Sequence, residues 1–369
     1  MIVTSGYCHV NDERHNLYNP FTSIGYIRLS ETLPSATIHP MNWDLLGHEW
    51  AVDLLREHVA KGSLRHAYLF TGPQGVGRRT LALRLAQAIN CPQPPAPGEP
   101  CRTCRTCTQI ERMQHPDLSI VQADTEGGTL KVDQVRELQR SLALTPYAAR
   151  YRVAILLRFE EAHPSAANAL LKTLEEPASQ VVLVVTAESA EALLPTIVSR
   201  CEVLRLRPSP VEEVSQALQA RGGLQPDQAS LLAHIAGGRV GYALRLSEAP
   251  EQLEQRGAWL DDHRRLLAAS RVERFAYAEV IAKDKDALRR ELNVWLSLWR
   301  DILLRAAGAS ASLTNPDREH EIDALADRID LPEAFRVVSA IERTQDLLDR
   351  NVNTRLATEV FLMDLPRMP

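Results

Sequence analysis

The 369-residue chain is 45% hydrophobic and 24% charged, with 17 Gly and 22 Pro, a globular composition that excludes wholesale disorder and a collagen-like repeat. Its length exceeds one ordinary domain of about 100–200 residues, so two or three are expected. Forty-two Lys and Arg against 47 Asp and Glu leave a net charge of −5, which excludes a global positive field and confines any DNA contact to a local surface or to partners.

Residues 1–40 mix Asn, Ser, Thr, His and Pro without a sustained period, and read as a loosely ordered leader, with Met41 an alternative start. No stretch reaches the ~18 apolar residues of a membrane span, and Met1–Thr32 lacks the basic-then-apolar order of a secretory signal, so a cytoplasmic protein is expected. From residue 41 the pattern changes. Trp50, Leu54, Leu55 and Val59 recur at helical spacing, Tyr68-Leu69-Phe70 reads as a short buried strand, and a glycine-rich turn leads into a helix carrying Leu81, Leu85 and Ile89. Leu118–Val121 is a strand, and Val132, Val135, Leu138 and Leu142 line a helix. Val153–Leu157 is a strand, Ser165–Glu176 a helix ending before Pro177, and Val181–Val185 a third apolar run. Such alternation predicts an α/β domain over 41–207 with a parallel sheet covered on both faces.

Pro208-Ser209-Pro210 marks a boundary. Residues 208–250 read as a small helical unit ending near Gly237-Gly238-Arg239-Val240-Gly241. From 254 to 369, Leu288, Leu292, Trp295, Leu296, Trp299 and Leu303, then Phe335, Val338, Ile341, Leu347 and Leu348, form the apolar faces of a helical bundle.

Two segments carry chemistry. Gly72-Pro73-Gln74-Gly75-Val76-Gly77 lies between an expected strand and an expected helix, where backbone N–H groups and a helix N-terminus converge on an anion. The phosphate-loop motif then calls for Lys and Ser or Thr, whereas the chain has Arg78 and Arg79. A guanidinium at 79 has no lone pair for Mg²⁺, and Thr80 is displaced about 100° around the helix. The segment is therefore read as a relic nucleotide loop without hydrolysis, the alternatives being a purely structural turn or a working ATPase. Second, Cys91, Cys101, Cys104 and Cys107, four of the six cysteines, have the spacing of a closed tetrahedral Zn²⁺ site, with free or redox-active thiols as the alternative. Four thiolates leave no open position, so the metal would be structural. Cys201 reads as a small buried hydrophobe, and Cys8 supports no reading.

His66-Ala67-Tyr68-Leu69-Phe70-Thr71-Gly72-Pro73, the block Asn168-Ala169-Leu170-Leu171-Lys172-Thr173-Leu174-Glu175-Glu176-Pro177 and Ser199-Arg200-Cys201 together resemble the bacterial DNA polymerase III clamp-loader family. Within it the chain is more similar to delta-prime subunits, whose nucleotide site has decayed, than to the ATP-hydrolysing gamma/tau subunits. The resemblance implies an AAA+ module with a zinc insertion at 91–107, a helical lid and an all-α collar. It also implies assembly with gamma/tau and delta subunits, and action of the complex on a sliding clamp and primed DNA as part of a DNA polymerase holoenzyme. The zinc insertion is a family feature too. Counting back from Asn168 without a gap puts Leu157 and Arg158 where the family carries metal-binding acids; a small gap would instead bring Glu160 and Glu161 into that role.

By its position alone Arg200 is a surface ion pair, whereas the resemblance implies an arginine finger reaching a neighbour's ATP. Thr186 and Arg239 match the family's two nucleotide-sensing positions and also read as a polar strand end and a helix-start surface residue. The expectation is a non-hydrolysing subunit that lends Arg200 to a neighbour and has doubtful ATP binding of its own. An active gamma/tau-type ATPase is the alternative. An unrelated zinc-containing nucleic-acid-binding protein fits less well with the acidic balance and the lack of a basic, aromatic-rich stripe.

Overall fold

The computed structural model describes residues 43–125, 128–350 and 352–368; the expected leader at 1–40, with Cys8, lies outside them. Helix α1 (Glu49–Ala60) leads to β1 (Ala67–Thr71), α2 (Arg78–Asn90), α3 (Arg105–Glu111), β2 (Leu118–Val121), α4 (Val132–Leu142) and β3 (Arg152–Leu156). A 3-10 turn (Phe159–Glu161) and α5 (Pro164–Glu175) follow, then β4 (Val181–Ala187), α6 (Pro195–Val198) and β5 (Glu202–Arg205).

The five strands form one parallel sheet in the order β2-β3-β4-β1-β5. Central strands β1, β3 and β4 are buried along their whole length, which is why their sequences run apolar without polar alternation. The period of two still sorts their side chains. Tyr68, Phe70, Val153, Ile155, Val182 and Val184 join the core beneath α1 and α2. Ala67, Leu69, Ala154, Leu156, Leu183 and Val185 join the core beneath α4 and α5.

Helices α7 (Val211–Gly222), α8 (Pro226–Ile235) and α9 (Val240–Glu248) enclose a small core of Val214, Leu218, Leu232, Ala233 and Leu246. The remaining helices are α10 (Pro250–Ala268), α11 (Arg271–Ile281), α12 (Lys285–Ala306), α13 (Glu319–Ala326), α14 (Leu331–Asp349) and α15 (Thr354–Asp364). They bury Leu292, Trp295, Trp299, Ile302, Ile341 and Phe361. Among the described residues no strand follows β5, and no helix is long and apolar enough to cross a membrane.

Two expected core positions are corrected. Trp50 is 50% exposed, because α1 turns Ala51, Val52 and Leu55 inward instead. Phe335 is 62% exposed, because α14 buries the stripe of Val337, Val338, Ile341, Thr344 and Leu348. In both cases the helical period is right, and the face that packs is set by the neighbouring helices.

Candidate nucleotide site and metal centre

The glycine loop joins β1 to α2. Gly72 has φ +142°, and a Cβ there would lie 2.3 Å from the Leu206 carbonyl oxygen, so no other residue fits. Gly75, with φ +85°, faces α9 closely: a Cβ would stand 2.8 Å from that of Tyr242. Gly77 precedes the first turn of α2. The buried His48 donates from Nε2 to the Val76 carbonyl (2.8 Å) and ties the loop to the start of α1. The N–H of Gly241 donates to the Gly75 carbonyl (2.8 Å), so the beginning of α9 is bonded directly to the loop.

Arg78, the first residue of α2, is only 7% exposed, and its Nη1 lies 3.9 Å from Glu160 Oε1. Burial pushes the Arg78 pKa down, against the pull of Glu160 and Glu188. Burial pushes Glu160 up, with Arg78 opposing and Glu188 and Glu161 reinforcing. Arg79 is exposed and donates to Met113 Sδ (2.9 Å), and Thr80 is exposed on the same helix turn. No side-chain oxygen therefore stands at 79 to receive a metal ion.

At the end of β3, Leu157 is buried and Arg158 adopts a left-handed conformation (φ 49°). The Arg158 N–H donates to Thr186 Oγ1 (3.0 Å), and its guanidinium pairs with Glu161 (3.1 Å). Thr186, 2% exposed, is thus engaged by the neighbouring strand end. Arg239 caps α9, donates to the Ala236 carbonyl (2.7 Å) and lies 4.6 Å over the Tyr242 ring; burial pushes its pKa down. The fold therefore brings Gly72, Gly75, Gly77, Arg78 and Glu160 together, with Arg239 above them on the helix that touches the loop. Glu188 and Tyr242 belong to this constellation and carry no motif of their own. The packing of α9 on the loop brings Tyr242 there, and Glu188 follows β4 with its carbonyl accepting from the Gly72 N–H (3.0 Å).

Arg200 follows α6, outside this constellation. Its guanidinium pairs with Glu175 Oε1 (2.8 Å) at the end of α5 and donates to the Thr196 carbonyl (2.9 Å), and about a third of the side chain is exposed. Cys201 packs against the α4–α5 side of the sheet, and burial pushes its thiol up to about 12. That is the behaviour of a small apolar residue.

The four cysteines of the insertion converge. The sulfurs of Cys91, Cys101, Cys104 and Cys107 all lie within 4.8 Å of one another, with Cys101 and Cys107 3.9 Å apart. Tetrahedral Zn–S bonds of 2.3 Å require sulfurs about 3.8 Å apart, so the cluster fits the ion. Backbone N–H groups of Cys101, Cys104 and Cys107 point at the sulfurs of Cys91, Cys101 and Cys104 at 3.3–3.4 Å. Against burial, such bonds hold the Cys101 thiol down to about 6, while burial pushes Cys107 up. Gln87 on α2 donates to the Cys107 carbonyl (2.8 Å) and fastens the cluster to the sheet-covering helix. No described cysteine forms a disulfide.

Residues 47–210 match the family model described as "DNA polymerase III, delta subunit", and residues 250–366 match "DNA polymerase III, delta subunit, C terminal". The chain is 30% identical over 316 residues to DNA polymerase III subunit delta' of Bacillus subtilis (strain 168), covering 85% of this chain and 94% of that one. It is 34% identical over 154 residues to subunit delta' of Pseudomonas aeruginosa, covering 42% and 47%. Subunit tau of Escherichia coli (strain K12) is 31% identical over 210 residues, covering 56% of this chain and 32% of that one. The parallel sheet with its glycine loop after β1, and the all-helical segments that follow, give the order of α/β module and helical units expected from the sequence. A match over nearly the whole length of a delta' subunit, added to both family models, decides the assignment: the chain belongs to the DNA polymerase III delta' family of clamp-loader proteins.

Proposed function

We propose that this chain is a clamp-loader subunit that does not hydrolyse ATP and that lends Arg200 to the ATP site of a neighbouring subunit. The observation that carries the reading is the split within one site: the glycine frame is intact, while an exposed arginine stands at 79 in place of a metal-binding hydroxyl, and Leu157 and Arg158 follow β3 where acids would hold metal and water. In this reading residues 41–207 form the AAA+ module, 208–250 its lid and 254–369 the collar that joins gamma/tau and delta subunits. The assembly places a sliding clamp on primed DNA in the cytoplasm. The four cysteines hold one structural Zn²⁺, whose role is to fix the 91–107 insertion.

Arg200 suits a lent group because a planar guanidinium can fork onto two phosphate oxygens, and its present partner Glu175 is half-exposed and readily exchanged. The test is a reconstituted complex carrying Arg200→Ala. The variant should fold and assemble, since an exposed ion pair contributes about 0–1 kcal/mol. Arginine fingers contribute about 10³–10⁵-fold to the site they serve, so clamp-stimulated ATPase should lose that one site's share, and clamp loading should fall further. Arg200→Lys should rescue poorly. Wild-type rates in a fully assembled Arg200→Ala complex would reduce the residue to a surface charge. The similarity to tau keeps a second reading in view, an active ATPase subunit; Mg²⁺-dependent turnover by the isolated chain, abolished by Arg78→Ala, would establish it.

A further inference from the structure

We propose that Glu160 is a built-in counter-anion that engages the Arg78 guanidinium at the start of α2, so that the chain's own carboxylate keeps nucleotide phosphate from it. The inference deepens the reading of a non-hydrolysing site and rests on it.

The loop retains the geometry of an anion cradle, with Gly77 opening the 13-residue helix α2. Arg78 enters that helix 93% buried, given its 7% exposure, and its Nη1 has no hydrogen-bond partner among the described residues. Glu160 Oε2 is likewise buried and unpartnered, while its Oε1 lies 3.9 Å from Arg78 Nη1. A buried guanidinium needs a counter-charge, and Glu160 is the carboxylate within ion-pair distance of it among the described residues.

The carboxylate is delivered by construction. Phe159 is buried at 1% exposure, and the Glu161 carbonyl accepts from the Leu130 N–H (3.0 Å). Glu161 itself is held by Arg158 (3.1 Å). These anchors flank Glu160, whose carboxylate lies against Arg78 (3.9 Å). At the loop itself, the Gly241 N–H occupies the Gly75 carbonyl, and Tyr242 stands where a Cβ on Gly75 would touch it. A phosphate that is to pair with Arg78 must separate Glu160 from it and then face that carboxylate at close range, which like-charge repulsion opposes. Glu188 adds a second negative charge acting on Arg78, Glu160 and Arg239.

The experiment measures pyrophosphate and ADP binding to the full chain by calorimetry, beside Mg²⁺-ATP turnover. Wild type should show no saturable binding at millimolar ligand. Glu160→Gln should bind both at least about 10-fold more tightly without gaining turnover, and Arg78→Ala added to it should abolish the gain. Circular dichroism checks the fold. If Glu160→Gln does not fold, Glu160→Asp, which withdraws the charge by one methylene, should give a smaller gain in the same direction. Tight ADP binding by wild type without turnover overturns the inference and leaves the proposed function standing. Turnover by wild type overturns both. A folded Glu160→Gln or Glu160→Asp that binds no better than wild type also overturns the inference.

Discussion

Glu291, 2% exposed on α12, makes the helical bundle sensitive to pH. The Tyr277 hydroxyl faces two carboxylates, Asp262 (3.1 Å) and Glu291, with one proton to share. Asp262 is also paired with Arg265 (2.8 Å), whereas Glu291 is buried beside Tyr277. Burial raises the Glu291 pKa from 4.5 to about 7, with Tyr277 opposing and Asp262 reinforcing. An acid whose pKa is higher folded than unfolded stabilises fully below its unfolded pKa, and that contribution is lost as pH rises through the folded pKa. Here the loss runs from about pH 4.5 to 7 and totals about 3 kcal/mol at about 1.4 kcal/mol per unit. Glu291→Gln keeps the shape and removes the titration. Urea unfolding followed by tryptophan fluorescence, which samples the buried Trp295 and Trp299, should find the variant within about 1 kcal/mol of wild type at pH 5. At pH 8 it should be up to about 3 kcal/mol more stable. A difference between the two proteins that does not change from pH 5 to 8 would refute the protonated-glutamate account.

Two further outcomes follow from buried groups. The Asp117 carboxylate accepts from the N–H groups of Tyr147, Ala148 and Ala149 at 2.7–2.9 Å and pairs with Arg152 (3.3 Å). Burial opposes its ionisation, yet these donors hold its pKa below the usual value. Its contribution is therefore complete above the unfolded pKa and lost as pH falls through the lower folded one. Asp117→Ala should cost about 3–5 kcal/mol in denaturant unfolding at pH 7, because a buried arginine loses its partner. For the metal centre, wild type should carry about one Zn²⁺ per chain by elemental analysis. Cys104→Ser should lose it and expose the 91–107 segment to proteolysis while the α10–α15 bundle keeps its unfolding transition.

The alternation of strands and helices, the glycine loop between β1 and α2, and the four-cysteine spacing were legible in the sequence because each depends on residues near one another in the chain. Periodicity located α14 but put Phe335 inside, since a repeat of 3.6 fixes a helix and leaves its inward face to the neighbours. That residue 79 is an arginine and carries no hydroxyl was readable from one position. The fate of the acids was not: counting along the chain left Leu157 and Arg158 or Glu160 and Glu161 open. The fold assigns each a different task, Arg158 bonding Thr186 and Glu161 while Glu160 faces Arg78. Residues 78 and 160 are brought together by the 3-10 turn after β3, and Gly75 meets Gly241 only through the packing of α9. Sequence alone thus determined the elements and the chemistry each can bring, which are short-range properties of the chain. Which charges meet in the loop was decided by tertiary structure, because that depends on contacts between segments dozens of residues apart, made when apolar faces close over the sheet.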